Sequence, residues 1–265
     1  MIWSNLEYVT LRLIRRFLFS GQALDRLGGW MPYWRVNQGR LDPSPIVDAY
    51  ERLALRAGIA TDGCRVVELG CGAANGTGHE WTARFGGSWT GVEPFALFDA
   101  ALDATLQAQA RARHPYGLSG NVGRVRDLAL LPDAGADLIV SNSVLEHLRR
   151  PPEVFRHCFR VLAPGGAMLH RVDYRDHFFK YPFHFLTFSQ SVWDNLLDPG
   201  DLPRHRLDDH LAALSRAGFE AHVLERETDH RALRAVAPFL APPFDGRNPD
   251  MLATTTAVIA CRKPH

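Results

Sequence analysis

Three carboxylates and one glycine turn carry most of the chemistry legible in this sequence. Residues 66–76 read VVELGCGAANG: an apolar run containing Glu68 enters a turn through Gly70, Cys71, Gly72, Ala74 and Gly76. Glycines at such a place let the backbone approach a ligand closely and turn tightly. The turn alone does not select the ligand, because nicotinamide and flavin sites use similar turns. Glu68 narrows the choice. A pyrophosphate gains nothing from a carboxylate at the strand end, whereas an ammonium group does. Glu93 closes the next apolar run in GVEP, just before Pro94, where a carboxylate can accept hydrogen bonds from both hydroxyls of a ribose. Asp127 follows the third run in RVRDLALLP, placed to accept from an adenine amino group, with the Leu128 amide available to a ring nitrogen. Adenine, ribose and a cationic amino-acid end describe the ligand. A dinucleotide fits poorly, both for its pyrophosphate and because the spacing is GxGxxxG where GxGxxG is expected.

The elements that must position these residues follow from the apolar pattern. Short apolar runs occur at 65–69, 88–93, 122–126, 136–140, 167–172, 220–227 and 254–261. Between most of them lie helical stretches such as FALFDAALDATLQAQARAR and PPEVFRHCFRVLA. This alternation predicts an α/β fold with a doubly wound, Rossmann-like, mostly parallel seven-stranded sheet. The last two runs lack a clear helical crossover, which predicts a final antiparallel strand. Ligands of such sheets sit outside the carboxyl ends of the strands, so Ser141 and Asn142 after the fourth run are further candidates to line the pocket, and Glu146 and His147 lie just beyond them.

On these motifs the chain resembles the class I S-adenosylmethionine-dependent methyltransferases, in the group that includes the type 11 methyltransferase domains. The likeness runs from about Arg65 to Gly166. VVELGCGAANG resembles the family's acidic-x-Gly-x-Gly loop, GVEP its ribose-binding acid, and RDLALLPDAGADLIVSNSVLEHL its adenine-binding acid and fourth strand. Ala74 departs from the pattern where a third glycine is common, adding one methyl group. The resemblance implies S-adenosylmethionine as cofactor, held by Glu68, Gly70, Cys71, Gly72, Ala74, Glu93, Pro94, Asp127, Leu128, Ser141 and Asn142. A catalytically silent cofactor-binding partner would be expected to have lost Glu93 or the glycine turn, and neither is lost.

Methyl transfer needs alignment and exclusion of water, and a base only where the acceptor must lose a proton. SNSV after the fourth run stands where methyltransferases of DNA exocyclic amines carry an Asn-Pro-Pro-Tyr or Asp-Pro-Pro-Tyr tetrapeptide. No Pro-Cys pair serves cytosine C5 chemistry, and no aspartate cluster follows the fourth run, so no metal is expected. The acceptor side is expected in residues 172–214. Asp173, Asp176 and His177 come off the fifth run, and an aromatic lid at about 174–205 includes Phe178, Phe179, Tyr181, Phe183, Phe185, Phe188 and Trp193. His177 is the candidate general base, oriented by a carboxylate, with Asp173 and His147 as further catalytic candidates. The DH, FxxFS and HRLDDHLAALSRAGF elements resemble bacterial methyltransferases of surface-glycan biosynthesis. That favours an oxygen acceptor, ahead of a nitrogen, on a sugar or glycan precursor, with a small-molecule natural product as the rival.

Composition sets the remaining bounds. A net charge of +1 gives no electrostatic footprint for nucleic acid. Cys64, Cys71, Cys158 and Cys261 show no metal-ligand spacing and are expected as reduced thiols in a cytoplasmic protein. Arg12, Arg15 and Arg16 interrupt the apolar N-terminus, so it is expected as an amphipathic helix with Ile2, Leu6, Val9, Leu13 and Phe17 on one face. Packing on the protein's own core is its ordinary role, and peripheral contact with an anionic membrane the alternative. A second helix is expected to be capped by Ser44 and to end at Gly58. The domain expectation is a helical cap at 1–58 and a methyltransferase core at 59–265.

Overall fold

The computed structural model describes residues 2–17, 42–177, 181–198 and 202–265. Phe178 and Phe179 of the lid, and most of the glycine- and tryptophan-rich loop before Asp42, lie outside the described residues. The sheet has seven strands in the order β3-β2-β1-β4-β5-β7-β6. They are β1 (Arg65–Leu69), β2 (Ser88–Val92), β3 (Asn121–Val125), β4 (Ala136–Asn142), β5 (Leu162–Asp173), β6 (Glu220–Thr228) and β7 (Thr254–Arg262). The strands from β1 to β5 are parallel, and β7 runs antiparallel to both β5 and β6. The order reverses between β1 and β4, so the carboxyl ends of those two strands open the crevice where such sheets bind ligands.

Each face of the sheet buries its own apolar layer. Helices α2 (Ser44–Arg56), α3 (Gly76–Phe85) and α4 (Ala100–Arg113) cover one face, with Tyr50, Trp81, Phe85 and Trp89 in its core. Helices α5 (Pro151–Val161) and α6 (Leu207–Arg216) cover the other, over Val67, Leu69, Ile139, Phe155, Met168 and Leu214. Short helices at His230–Val236 and Pro249–Leu252 join β6 to β7, a crossover too short to show as an apolar period. Two element starts differ from the sequence expectation. Asp42, not Ser44, accepts at the head of α2, through the Ser44 N–H at 3.0 Å, while Ser44 Oγ is buried without a hydrogen-bond partner. The helical stretch at 95–113 begins only at Ala100, where the Asp99 carboxylate caps two amides, leaving 95–99 as a loop at the sheet's ligand edge.

The N-terminal helix α1 (Ile2–Phe17) rests on the lid through part of the expected face, Val9 and Leu13, and through two polar residues beside it. Tyr8 and Arg12 are buried, Val9 and Leu13 lean on the lid's apolar cluster, and Leu6 and Phe17 are exposed. The physical reason is Asp176, itself buried. Tyr8 donates to one of its oxygens and Arg12 pairs with the other, and the Arg12 guanidinium also lies 4.6 Å from the centre of the Trp193 ring. A buried carboxylate needs a cation and hydrogen-bond donors, and that requirement outweighs the preference of an arginine for water. Among the described residues no helix is long and apolar enough to cross a membrane.

The lid has its own core of Phe183, Phe185, Leu186, Trp193 and Leu197, and two arginines hold its backbone. Arg204 donates to Phe185 O and Phe188 O at 2.8 and 2.7 Å. Arg206, fully buried, donates to Leu252 O at 2.8 Å, Thr254 O at 2.6 Å and Tyr174 O. It therefore joins the end of β5 to the start of β7 beneath the lid. Burial lowers its pKa to about 10, so it stays charged at neutral pH. Arg206→Met strands those carbonyls, each at a cost of about 1–3 kcal/mol. Counting at least ~3 kcal/mol in total, the midpoint of thermal unfolding should fall by roughly 6–12 °C, which calorimetry checks.

Candidate functional site

At the carboxyl edge of β1, β2 and β3 the glycine turn meets the loop after β2. Gly70 and Gly72 both have φ near +70°, the left-handed region that other residues enter at a cost of about 1–2 kcal/mol. A Cβ on Gly70 would stand 2.5 Å from Val144 Cγ2, whereas one on Gly72 would meet nothing within 4 Å. The turn is thus pressed against the β4 loop at its first glycine and open at its second. Glu93 gathers the two loops. Its Oε2 accepts from Gly72 N at 3.0 Å, and its Oε1 accepts from Phe95 N at 2.9 Å and Ala96 N at 3.0 Å. A carboxylate has about four acceptor positions. Three are therefore committed to backbone, and Oε2 keeps one for a ribose hydroxyl where two bonds were expected.

Arg124 is the residue that sequence reasoning missed here. From β3 it donates to Gly72 O at 2.6 Å and Ala96 O at 3.2 Å, and its Nη1 lies 3.1 Å from Cys71 Sγ. It reaches that far because Gly91, its register partner on β2, has no side chain. A Cβ there would fall 2.4 Å from Cys71 Sγ. An arginine opposite a glycine one strand over was the available signal.

Glu68 lies on the same face, paired with Gly91 across β1 and β2. It is buried, and its Oε2 has no hydrogen-bond partner. Burial pushes its pKa up to about 8, against the opposing pull of Thr77, Trp89 and Arg124. Asn75 Oδ1 and the Tyr50 hydroxyl are likewise buried without partners. The open approach at Gly72, the spare lone pair of Glu93 and the unpartnered Oε2 of Glu68 fit a ligand with ribose at one end and an ammonium at the other. Asp127 is exposed beyond β3 and accepts from Ala129 N at 2.9 Å. Leu128 and Ala74 are buried, and Pro94 is exposed. Ser141 does not face the edge: it is fully buried, with Oγ 2.8 Å from His170 Nδ1. Asn142, which ends β4, is half-buried.

A second group of polar residues meets at the carboxyl ends of β4 and β5. A single turn at Leu145–His147 presents Glu146 and His147, and β5 ends at Asp173, four residues before His177. The Asp173 N–H donates to Glu146 Oε1 at 3.3 Å. His177 Nε2 lies 3.9 Å from the same oxygen, and the His147 and His177 rings meet edge-on at 5.1 Å. Burial pushes the Glu146 pKa up to about 8, and its Oε2 has no hydrogen-bond partner. Burial would also raise Asp173, but Arg175, which bonds it through Nε at 2.9 Å, holds it below the usual carboxylate range. Asp173 is thereby engaged with Arg175, while the carboxylate that faces His177 is Glu146. Asp176 is turned the other way, into α1.

Comparison with known proteins places this geometry. Residues 67–170 match the family described as a methyltransferase domain. A protein of Mycolicibacterium smegmatis that bears the name "Probable S-adenosylmethionine-dependent methyltransferase" is 32% identical over 171 residues, 64% of this chain and 56% of that protein. The chain thus spans little more than half the length of that relative. A ubiquinone biosynthesis O-methyltransferase of Rhodopseudomonas palustris is 27% identical over 211 residues, covering 75% of this chain and 78% of that one. Among solved structures, a phosphoethanolamine N-methyltransferase of Haemonchus contortus in complex with S-adenosyl-L-methionine superposes with a TM-score of 0.55. It is 17% identical, over 96% of this chain and 59% of that one. The YcgJ protein of Bacillus subtilis gives 0.52 at 14% identity, over 82% and 99% of the two chains. These two likenesses speak to the fold. The cofactor of this family is S-adenosylmethionine, and Glu68, Gly72 and Glu93 are the residues here whose geometry suits it.

The raised pKa of Glu68 has a sign that can be checked. The folded chain holds this proton more tightly than the unfolded chain, so its contribution is complete below about pH 4.5 and is lost as pH rises toward 8. The cofactor-free protein should therefore unfold at lower temperature as pH is raised from 6 to 8.5 (roughly that window), and Glu68→Gln should flatten the slope. Calorimetric melts across the range are the measurement, and equal slopes in the two proteins would refute the assignment.

Proposed function

The chain belongs to the class I S-adenosylmethionine-dependent methyltransferases, and on that premise we propose that it methylates an oxygen on a sugar or glycan precursor or on a small molecule. The observation that carries this reading is the meeting of Glu146, His147 and His177 beside the Val144 wall that supports Gly70. An oxygen acceptor must lose a proton, and this group lies at the strand ends adjoining the glycine turn. The name of the R. palustris relative, an O-methyltransferase, supports an oxygen acceptor. The lid's resemblance to enzymes of surface-glycan biosynthesis supports a sugar.

When bound, S-adenosylmethionine supplies a methyl group on a sulfonium, open to in-line displacement by a nucleophile. This chain's residues do the rest. Gly70 and Gly72 shape the turn, and Glu93 and Arg124 fix the two loops against each other. The ionised form of Glu68 answers an ammonium group, while Phe183, Phe185 and Trp193 in the lid help exclude water over the acceptor side. His177 is the proton acceptor, its ring oriented by Glu146 and His147, and Asp173 fixes the strand end through the hydrogen bond its backbone N–H donates to Glu146. General-base help is worth about 10²–10⁴ in rate. His177→Ala should lower kcat by roughly that factor and leave S-adenosylhomocysteine affinity unchanged. Turnover of the variant at the wild-type rate, on any acceptor found by screening hydroxylated sugars and phenols, would remove His177 from the mechanism.

A further inference from the structure

The acceptor-side group has the composition and closeness of a cation site, although the sequence led to the expectation of no metal. We propose that Glu146, His147 and His177 bind one divalent cation of the zinc class, with an open position facing the acceptor. This rests on the reading above for its purpose, but not for its chemistry. One carboxylate oxygen and one nitrogen from each ring all lie within 4.8 Å of one another. Two imidazoles and a carboxylate, with a further position left for water or substrate, are a ligand set that catalytic zinc sites use. Bonds of about 2.0–2.1 Å to a tetrahedral cation require ligand atoms roughly 3.3 Å apart, so the group must contract by no more than about 1.5 Å at its widest. His177 is the member able to move, since its side chain is 37% exposed and stands at the junction of β5 and the lid.

Two further observations point to a cation. The first is Glu146. It is 2% exposed, its Oε2 has no hydrogen-bond partner, and its other oxygen receives a backbone amide at 3.3 Å. No arginine or lysine pairs with it among the described residues: the nearby Arg175 is committed to Asp173, and Arg149 approaches Asp198. A carboxylate this deeply buried must stay protonated or meet a positive charge, and the groups it faces are two imidazoles. The second is the support behind the ligands. The turn bearing Glu146 and His147 is closed by His147 N to Val144 O at 3.0 Å. The residue before His177 is Asp176, locked by Tyr8 and Arg12 of α1. Metal sites depend on such outer contacts to orient their ligands.

A cation held here draws the acceptor's hydroxyl oxygen to its open position and lowers the pKa of that hydroxyl, whose proton leaves to water. The cation keeps its oxidation state throughout, and the methyl group passes from the sulfonium to the oxygen freed of its proton. With the cation bound, ligation replaces the proton-accepting role given to His177 above, so loss of activity in His177→Ala does not separate the two roles. Direct binding does.

The test is titration of Co²⁺ and of Zn²⁺ into the full-length protein after chelator dialysis, by absorbance and calorimetry. S-adenosylhomocysteine is titrated in parallel. The expected result is one tight equivalent, with Co²⁺ giving visible bands of a low-coordinate site. Glu146→Gln, His147→Ala and His177→Ala should each weaken binding by about tenfold or more, since even outer-shell substitutions cost about 10- to 100-fold. Retained S-adenosylhomocysteine affinity in the exposed His177→Ala variant shows that it remains folded. No saturable binding, or binding unchanged in all three variants, overturns the site. Cation binding that behaves as expected in a protein with no S-adenosylhomocysteine affinity supports the site and counts against the methyl-transfer reading instead.

Discussion

The carboxylate of Glu93 is the constraint on which the cofactor end of this molecule depends. It collects an amide from the glycine turn and two from the loop after β2, so neither loop can shift without releasing a charge-assisted bond. Arg124 repeats the connection from below through the carbonyls of Gly72 and Ala96. Acid above and guanidinium below make a closed electrostatic link between two loops that no regular element joins. The ligand edge is in this way built before a ligand arrives, which lowers the ordering cost of binding.

Burial and charge are balanced differently at the two ends of the site. Glu93 and Asp176 are buried with donors around them, and Asp176 has a guanidinium as well. Glu68 and Glu146 are buried with too few, and burial raises both pKa values to about 8. Each of the latter faces the place where the proposed chemistry brings positive charge: an ammonium beside Glu68, and a cation or protonated imidazole beside Glu146. Unsatisfied buried polar groups are rare in native proteins and call for an explanation. Ligand charge explains both with one principle. The lid over the acceptor end is held by different means, through Arg204 and Arg206 donating to main-chain carbonyls, which gives the HRLDD motif a mechanical meaning.

Much of the fold was legible because period and glycine are local signals. The runs at 65–69 and 254–261 match β1 and β7 to within a residue, and the antiparallel last strand followed from the missing crossover. The glycine turn and Glu93 were also local: a strand end, a turn and an acid. What escaped depends on partners far along the chain. The burial of Arg12 was not legible because its carboxylate, Asp176, comes 164 residues later. The role of Arg124 escaped too, since its acceptors lie on two other loops. Ser141 read as a pocket residue because it follows the motif position, yet its strand register aims it at His170. His177 and His147 were each visible, but no pattern in the sequence brings them to one carboxylate.

The central claim is that the edge organised by Glu93 holds S-adenosylmethionine, and calorimetric titration of S-adenosylhomocysteine into wild-type protein and Glu93→Ala tests it most directly. A bond to a charged group is worth about 1.5–3 kcal/mol, so wild-type binding with a loss of roughly ten- to hundredfold in the variant is the predicted result. Equal affinity in the two proteins, with the variant shown to be folded, would contradict it.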